Sequence, residues 1–154
     1  MDAEVVKIYG NKVRVRACGI CWDEDALLLV NHTSLSASNF WAPPGGGVEF
    51  GQSIEACLTR EFLEETGLTI SVGRFMFGCE FISDPLHSIE LFFEIQALEG
   101  RLRIGRDPEI QIIDDVKFLK FDQIRALPKT QTHGIFQYAA TPADLNKLTG
   151  FFRI

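Results

Sequence analysis

Within residues 60 to 68, REFLEETGL, three glutamates fall inside five positions: Glu61, Glu64 and Glu65. On a helix advancing about 100° per residue, Glu64 lies about 60° to one side of Glu61 and Glu65 about 40° to the other. The three carboxylates therefore share one stripe. Ile54, Cys57 and Leu58 occupy the same side one to two turns earlier, with Phe62 and Leu63 flanking it. The acidic face is continuous with apolar residues, which directs it toward an interior edge or a cleft. A solvated helix face is the alternative. Like charges at this spacing destabilise a bare helix. A hard divalent cation reverses that sign, since Mg²⁺ takes oxygen ligands at roughly 2.1 Å and keeps waters and substrate phosphates in its octahedron.

The segment before it, WAPPGGGVEFGQS, carries Gly45, Gly46, Gly47 and Gly51. Glycine lets a backbone bend sharply and approach a ligand closely. Alone, such a cluster says little beyond turn geometry; followed at fixed spacing by the acidic helix it says more. Gly46, Gln52 and Arg60-Glu61-Phe62-Leu63-Glu64-Glu65-Thr66-Gly67-Leu68 resemble the Nudix box of the Nudix hydrolases, G-x5-E-x7-R-E-U-x-E-E-x-G-U, where U is a bulky aliphatic or similar residue. The box runs from residue 46 to 68. Two positions depart from it: Gln52 stands where the family has Glu, and Phe62 where it has an aliphatic residue. With its flanks, the resemblance extends over residues 12 to 127.

The resemblance implies an α+β fold, a Nudix-type α/β/α sandwich with a central mixed sheet, as a single domain over residues 1–154. It implies an enzyme cleaving the diphosphate linkage of a nucleoside diphosphate derivative with Mg²⁺ or Mn²⁺. A sugar nucleotide such as ADP-ribose and a nucleoside triphosphate are both open as substrate. Glu64 and Glu65 would be the main metal ligands, Glu61 a further ligand or an aid to water activation, and the Gly45 carbonyl a backbone ligand. Arg60 would orient the carboxylates, and its i,i+4 spacing to Glu64 permits an ion pair. Gln52 would still accept a hydrogen bond from Arg60, but without charge. That substitution favours a rival reading, a domain that binds and senses a nucleotide without cleaving it. For a general base outside the box, Glu109 and Glu94 stand ahead of Asp107 and Glu90. Arg14 and Arg16 are candidates for phosphate contact, and Trp41 for stacking on a base.

These groups need positioning elements. Val13, Val15 and Ala17 alternate with Arg14, Arg16 and Cys18, as in a strand with the valine face inward. WDED turns the chain into a buried strand, ALLLV. Ser53 caps a helix over IEACLTREFLEET, and Gly67 closes it. Residues 69 to 83 and 87 to 98 are expected as strands joined by SDPLH, with a last strand over 111 to 120. FDQIRAL is expected as a short helix ending before Pro128, and Thr141-Pro142 as the start of a terminal helix. The apolar tail, 127 to 154, packs over the site or makes a subunit contact, so a homodimer is an open expectation.

With 154 residues, 46% apolar content and 13 phenylalanines, the chain can bury a single core. Its formal charge of −6 argues against nucleic acid as a partner. The amino terminus has no signal-peptide pattern and no apolar run reaches spanning length, so a cytoplasmic protein without a membrane partner is expected. Cys18 and Cys21 form a C-x-x-C pair on a strand, where the two side chains point to opposite faces. Core packing is favoured over a metal or redox role, because Cys57 and Cys79 do not form a second pair. The histidines, His32, His87 and His133, are isolated in sequence and are expected in loop or turn roles.

Overall fold

The computed structural model describes residues 3–32, 39–103 and 113–154. A helix, α1 (Ala3–Tyr9), leads into the long strand β1 (Val13–Asp23), which turns at Glu24-Asp25 into β2 (Ala26–His32). Two short strands, β3 (Trp41–Ala42) and β4 (Gly45–Gly47), precede α2 (Ile54–Thr66). Then come β5 (Thr69–Ser83), β6 (Leu86–Glu99), β7 (Ile113–Lys120), α3 (Phe121–Ala126), α4 (Pro142–Lys147) and β8 (Phe151–Arg153). Two 3-10 turns, Lys129–Gln131 and Gly134–Gln137, separate α3 from α4.

The strands form one mixed sheet in the order β3-β2-β1-β6-β5-β8, with β4 added on β1 and β7 on β2. β1 runs parallel to β6, and β5 parallel to β8; the other pairings are antiparallel. β1 pairs with β2 only next to their turn, at Trp22↔Leu27 and Asp23↔Ala26. Further back, β1 lies between β4 and β6, with Cys18 opposite both Gly45 and Phe92.

Alternation along the strands produces two cores, one on each face. One face gathers Cys18, Ile20, Phe77 and Phe92 with Phe121 and Ile124 of α3 and Leu145 of α4. The other gathers Ala17, Cys21 and Ile95 with Cys57, Leu58 and Phe62 of α2. Helices thus cover both sides of the sheet, the sandwich that burial of two apolar sheet faces requires. Cys18 and Cys21 fall into opposite cores as free, buried thiols.

The capping expectations hold. Ser53 Oγ accepts the Ala56 N–H at 3.0 Å, and Gly67 takes the left-handed φ of 80° while its N–H donates to Leu63. Thr141 Oγ1 accepts from the Asp144 N–H, with Pro142 opening α4. The valine face of β1 is a correction. Val13 and Val15 are 57% and 42% exposed, whereas Arg14 and Arg16 are half-buried. Buried carboxylate and carbonyl partners draw Arg16 inward, and they outrank the alternation of apolar residues at this end of the strand. Neither α1 nor β8 was expected; each is short, and β8 gains its strand geometry by pairing with β5.

Among the described residues, no helix is long and apolar enough to cross a membrane.

His32, at the end of β2, is buried, and its Nδ1 has no partner among the described residues. Burial, aided by the charge of Arg16, pulls its pKa down to about 3. An unfolded histidine titrates near 6.5, so below that pH the unfolded chain binds a proton the folded chain refuses. The stability His32 permits is fully present above about pH 6.5 and is lost as pH falls toward 3. Urea midpoints should therefore fall between pH 7 and pH 4, and His32→Gln should flatten that fall.

Candidate active site

The glycine segment and the acidic helix meet directly. β4 is pinned to β1 by the registers Cys18↔Gly45, Ala17↔Gly46 and Arg16↔Gly47. From there the Gly45 N–H donates to Glu65 Oε1 at 2.9 Å. A Cβ on Gly46 would overlap the Glu61 carboxyl. The acidic stripe does continue the apolar face of α2: Glu65 is buried beside Phe62, Glu61 is 13% exposed at its side chain, and Glu64 is 32% exposed.

Arg60 ties the acids together. Its Nη1 lies 3.0 Å from Glu61 and 3.3 Å from Glu64. Its Nη2 donates to Gln52 Oε1 at 3.5 Å and lies 3.8 Å from Glu49. Partial burial opposes the Arg60 charge, but Glu61, Glu64 and Glu49 outweigh it and raise the pKa. Gln52 Oε1 also accepts the Glu49 N–H at 3.1 Å, so the glutamine keeps the acceptor role at the box position. The carboxylate at that end of Arg60 comes from the exposed Glu49. Restoring the box residue with Gln52→Glu should raise kcat/KM by up to about tenfold, the scale of effects from groups that support metal ligands. An Mg²⁺ titration of the rate checks it; an unchanged titration would mean that Glu49 already meets the need.

Arg16 reaches the site from β1. Its Nη2 donates to the Gly45 carbonyl at 3.4 Å, and its Nη1 to Glu90 Oε2 at 2.7 Å. Burial opposes its charge, but the surrounding groups, Glu90, Glu65 and Glu61 among them, raise its pKa above the usual arginine value. Glu90 is 3% exposed. Burial works against its charge as well, yet His133 and Arg16 hold it well below the usual carboxylate range. His133 Nε2 meets Glu90 Oε1 at 2.8 Å, and Cys18 Sγ lies 3.5 Å from Oε2.

The other candidate residues are more scattered. Arg14 is stacked over the Tyr9 ring, 3.9 Å from its centroid, with its guanidinium near Gly47. Trp41 is only 7% exposed and belongs to the core, which leaves its ring little face for a base. Glu94 shares the strand face of Glu90 but lies four residues, roughly 13 Å, further along β6. It is exposed and paired with Arg74 at 3.2 Å. Glu109 and Asp107 lie outside the described residues. Two residues behind Arg16, Glu90 and His133, carry weaker signals in the sequence. The signal for Glu90 was Phe92 on the same strand face, a buried neighbour two residues away. His133 has none, because it caps a 3-10 turn that leaves no periodic pattern in the sequence.

Among the described residues, ligand atoms of Cys79, Glu90 and His133 all lie within 4.8 Å of one another, which makes a second conceivable metal cluster. Its imidazole and carboxylate already have hydrogen-bond partners without an ion. The Ile135 N–H donates to His133 Nδ1 at 3.1 Å, so Nε2 carries the ring proton and donates to Glu90. The box acids offer a different donor set, all oxygen, which suits Mg²⁺ or Mn²⁺.

A glycine loop locked against a helix of paired acids defines the class that comparison confirms. The family model for the NUDIX domain matches residues 11–139, and the chain belongs to that family. It is 32% identical over 114 residues to an ADP-ribose pyrophosphatase of Methanocaldococcus jannaschii, a match covering 72% of this chain and 62% of that protein. The chain thus spans under two thirds of that relative's length. The fold resembles a MutT protein of Methanosarcina mazei Go1, with a TM-score of 0.68 and 16% identity over 89% of this chain and 93% of the other. It also resembles a NUDIX hydrolase of Nitrosomonas europaea, with a TM-score of 0.68 and 22% identity over 79% and 81% of the two chains.

Proposed function

We propose that this protein hydrolyses the diphosphate linkage of a nucleoside diphosphate derivative, with a sugar nucleotide of the ADP-ribose kind as the first substrate to test. The contact of Gly45 with Glu65, beside the Arg60 pairs to Glu61 and Glu64, carries this reading. The name of the 32%-identical relative supports the choice of substrate. A nucleoside triphosphate is the other substrate class.

The donor set fits Mg²⁺ or Mn²⁺, with Glu64 and Glu65 as main ligands and Glu61 and the Gly45 carbonyl as further ones. Such ions supply charge neutralisation at the phosphates and a more acidic water. The protein's own groups do the rest. Arg60 holds Glu61 and Glu64 in place, and Arg16 sets a fixed positive charge beside Gly45. Water attacks one phosphorus, the bridging P–O bond breaks, and the leaving phosphate departs as an anion. Glu61, held by Arg60 at 3.0 Å, is the carboxylate assigned to help activate the water.

A nucleotide sensor is the second reading, favoured by the neutral, 3.5 Å contact of Gln52 with Arg60. One assay separates the two. Purified protein is incubated with ADP-ribose, other sugar nucleotides and nucleoside triphosphates, with Mg²⁺ or Mn²⁺, and monophosphate products are measured. Hydrolysis of at least one is expected. Tight binding without turnover across the panel would favour the sensor.

A further inference from the structure

Resting on that reading, we propose that Glu90 and His133 are positioning residues for Arg16: they aim its guanidinium at the diphosphate from the edge of the glycine segment. A carboxylate as buried as Glu90 is costly unless it is paired and hydrogen-bonded. Glu90 has Arg16 at 2.7 Å and His133 at 2.8 Å on its two oxygens, with Cys18 nearby. Because His133 Nδ1 accepts the Ile135 N–H, the imidazole is a neutral donor through Nε2. It satisfies one oxygen and leaves the charge of Glu90 for Arg16. His133 is itself fixed: its backbone N–H donates to the Trp41 carbonyl at 2.9 Å, and its ring packs edge-on against Phe92.

The chain of contacts ends at the box. Arg16 Nη2 points at the carbonyl of Gly45, whose N–H holds Glu65. Replacing a buried ion pair by apolar groups is often neutral or stabilising, so stability alone gives no reason for this arrangement. A long arginine side chain loses its freedom here before substrate arrives, which lowers the entropic cost of a phosphate contact.

The test is a double-mutant cycle on kcat/KM, paired with calorimetric binding of ADP. Arg16→Ala and Glu90→Gln should each lower kcat/KM by roughly 10- to 100-fold, mainly through KM, as a misplaced contact group does. In the Arg16→Ala background, Glu90→Gln should cost less than about twofold more, because sites acting through one another are not additive. His133→Gln keeps a donor at the same reach and should lose less than about threefold, whereas His133→Phe should match Glu90→Gln. If Glu90→Gln does not fold, His133→Phe takes its place in the cycle. Equal losses in both backgrounds, with turnover in the wild type, would overturn the positioning role alone. A wild type that neither cleaves the panel nor binds ADP would remove the reading beneath it. Zinc retained through EDTA dialysis at about one ion per chain, and lost in Cys79→Ser, would make Glu90 a ligand and overturn the proposal.

Discussion

Glu64→Gln and Glu65→Gln should each lower kcat by about 10²- to 10³-fold, the usual cost of removing one charge aimed at the reacting centre. Glutamine preserves size and one acceptor oxygen. The Gly45 N–H can therefore still be satisfied at position 65, and the helix retains its packing. What is lost is one negative charge of the stripe proposed to hold Mg²⁺ or Mn²⁺. In the absence of metal, each change also relieves repulsion within the stripe, so thermal stability should be near neutral or slightly higher. Mg²⁺ should raise the melting temperature of the wild type, because a ligand that binds only the folded state stabilises it. It should do so much less in either variant. Glu64, with its side chain 32% exposed and shared with Arg60, should show the smaller structural effect of the two. Rates measured over an Mg²⁺ titration, with melting curves at each concentration, check both halves. Full activity in both variants would mean that the acids hold no catalytic metal.

Sequence alone reached α2 and its caps, because Ser53, Gly67 and the helical spacing act over a few residues. It also reached the long strands, whose turns at Glu24-Asp25 and Asp84-Pro85 are local signals. Pairing was harder to see. The parallel neighbours β1 and β6 are separated by more than sixty residues, and their contact is what sets Glu90 against Arg16. Hence Glu94 ranked above Glu90, although only Glu90 shares its register with Arg16. The alternation puts Arg14 and Arg16 on the outward side of β1, since valine normally decides which face is buried. Buried partners at Glu90 and Gly45 reverse that for Arg16. Trp41 packs into the core, as an aromatic residue beside a glycine-rich segment more often does. His133 belongs to a segment whose 3-10 turns have no periodic pattern, so its approach to Glu90 was invisible in the chain.

The neighbouring glycines of β4 should separate activity from folding. Gly46→Ala should leave a folded protein whose kcat/KM is reduced by about 10- to 100-fold. Its new methyl group would overlap the carboxyl of Glu61, the far end of a flexible side chain that can swing aside. The fold survives that movement, whereas the Glu61 carboxylate, proposed to bind metal or aid water activation, does not keep its place. Gly45→Ala meets backbone instead: the carbonyl of Ala17, and Cys18 Cα at 2.7 Å. Neither can move without parting β4 from β1, so this variant should lose about 3 kcal/mol or more, the upper range for overpacking. Circular dichroism melts and kcat/KM on the same preparations distinguish the two. Gly46→Ala should melt within a few degrees of the wild type and Gly45→Ala far below it. Should Gly46→Ala retain full activity, Glu61 needs no fixed position and its part in the reaction is minor; should Gly45→Ala melt normally, the close approach of β4 to β1 is not what holds the glycine segment against α2.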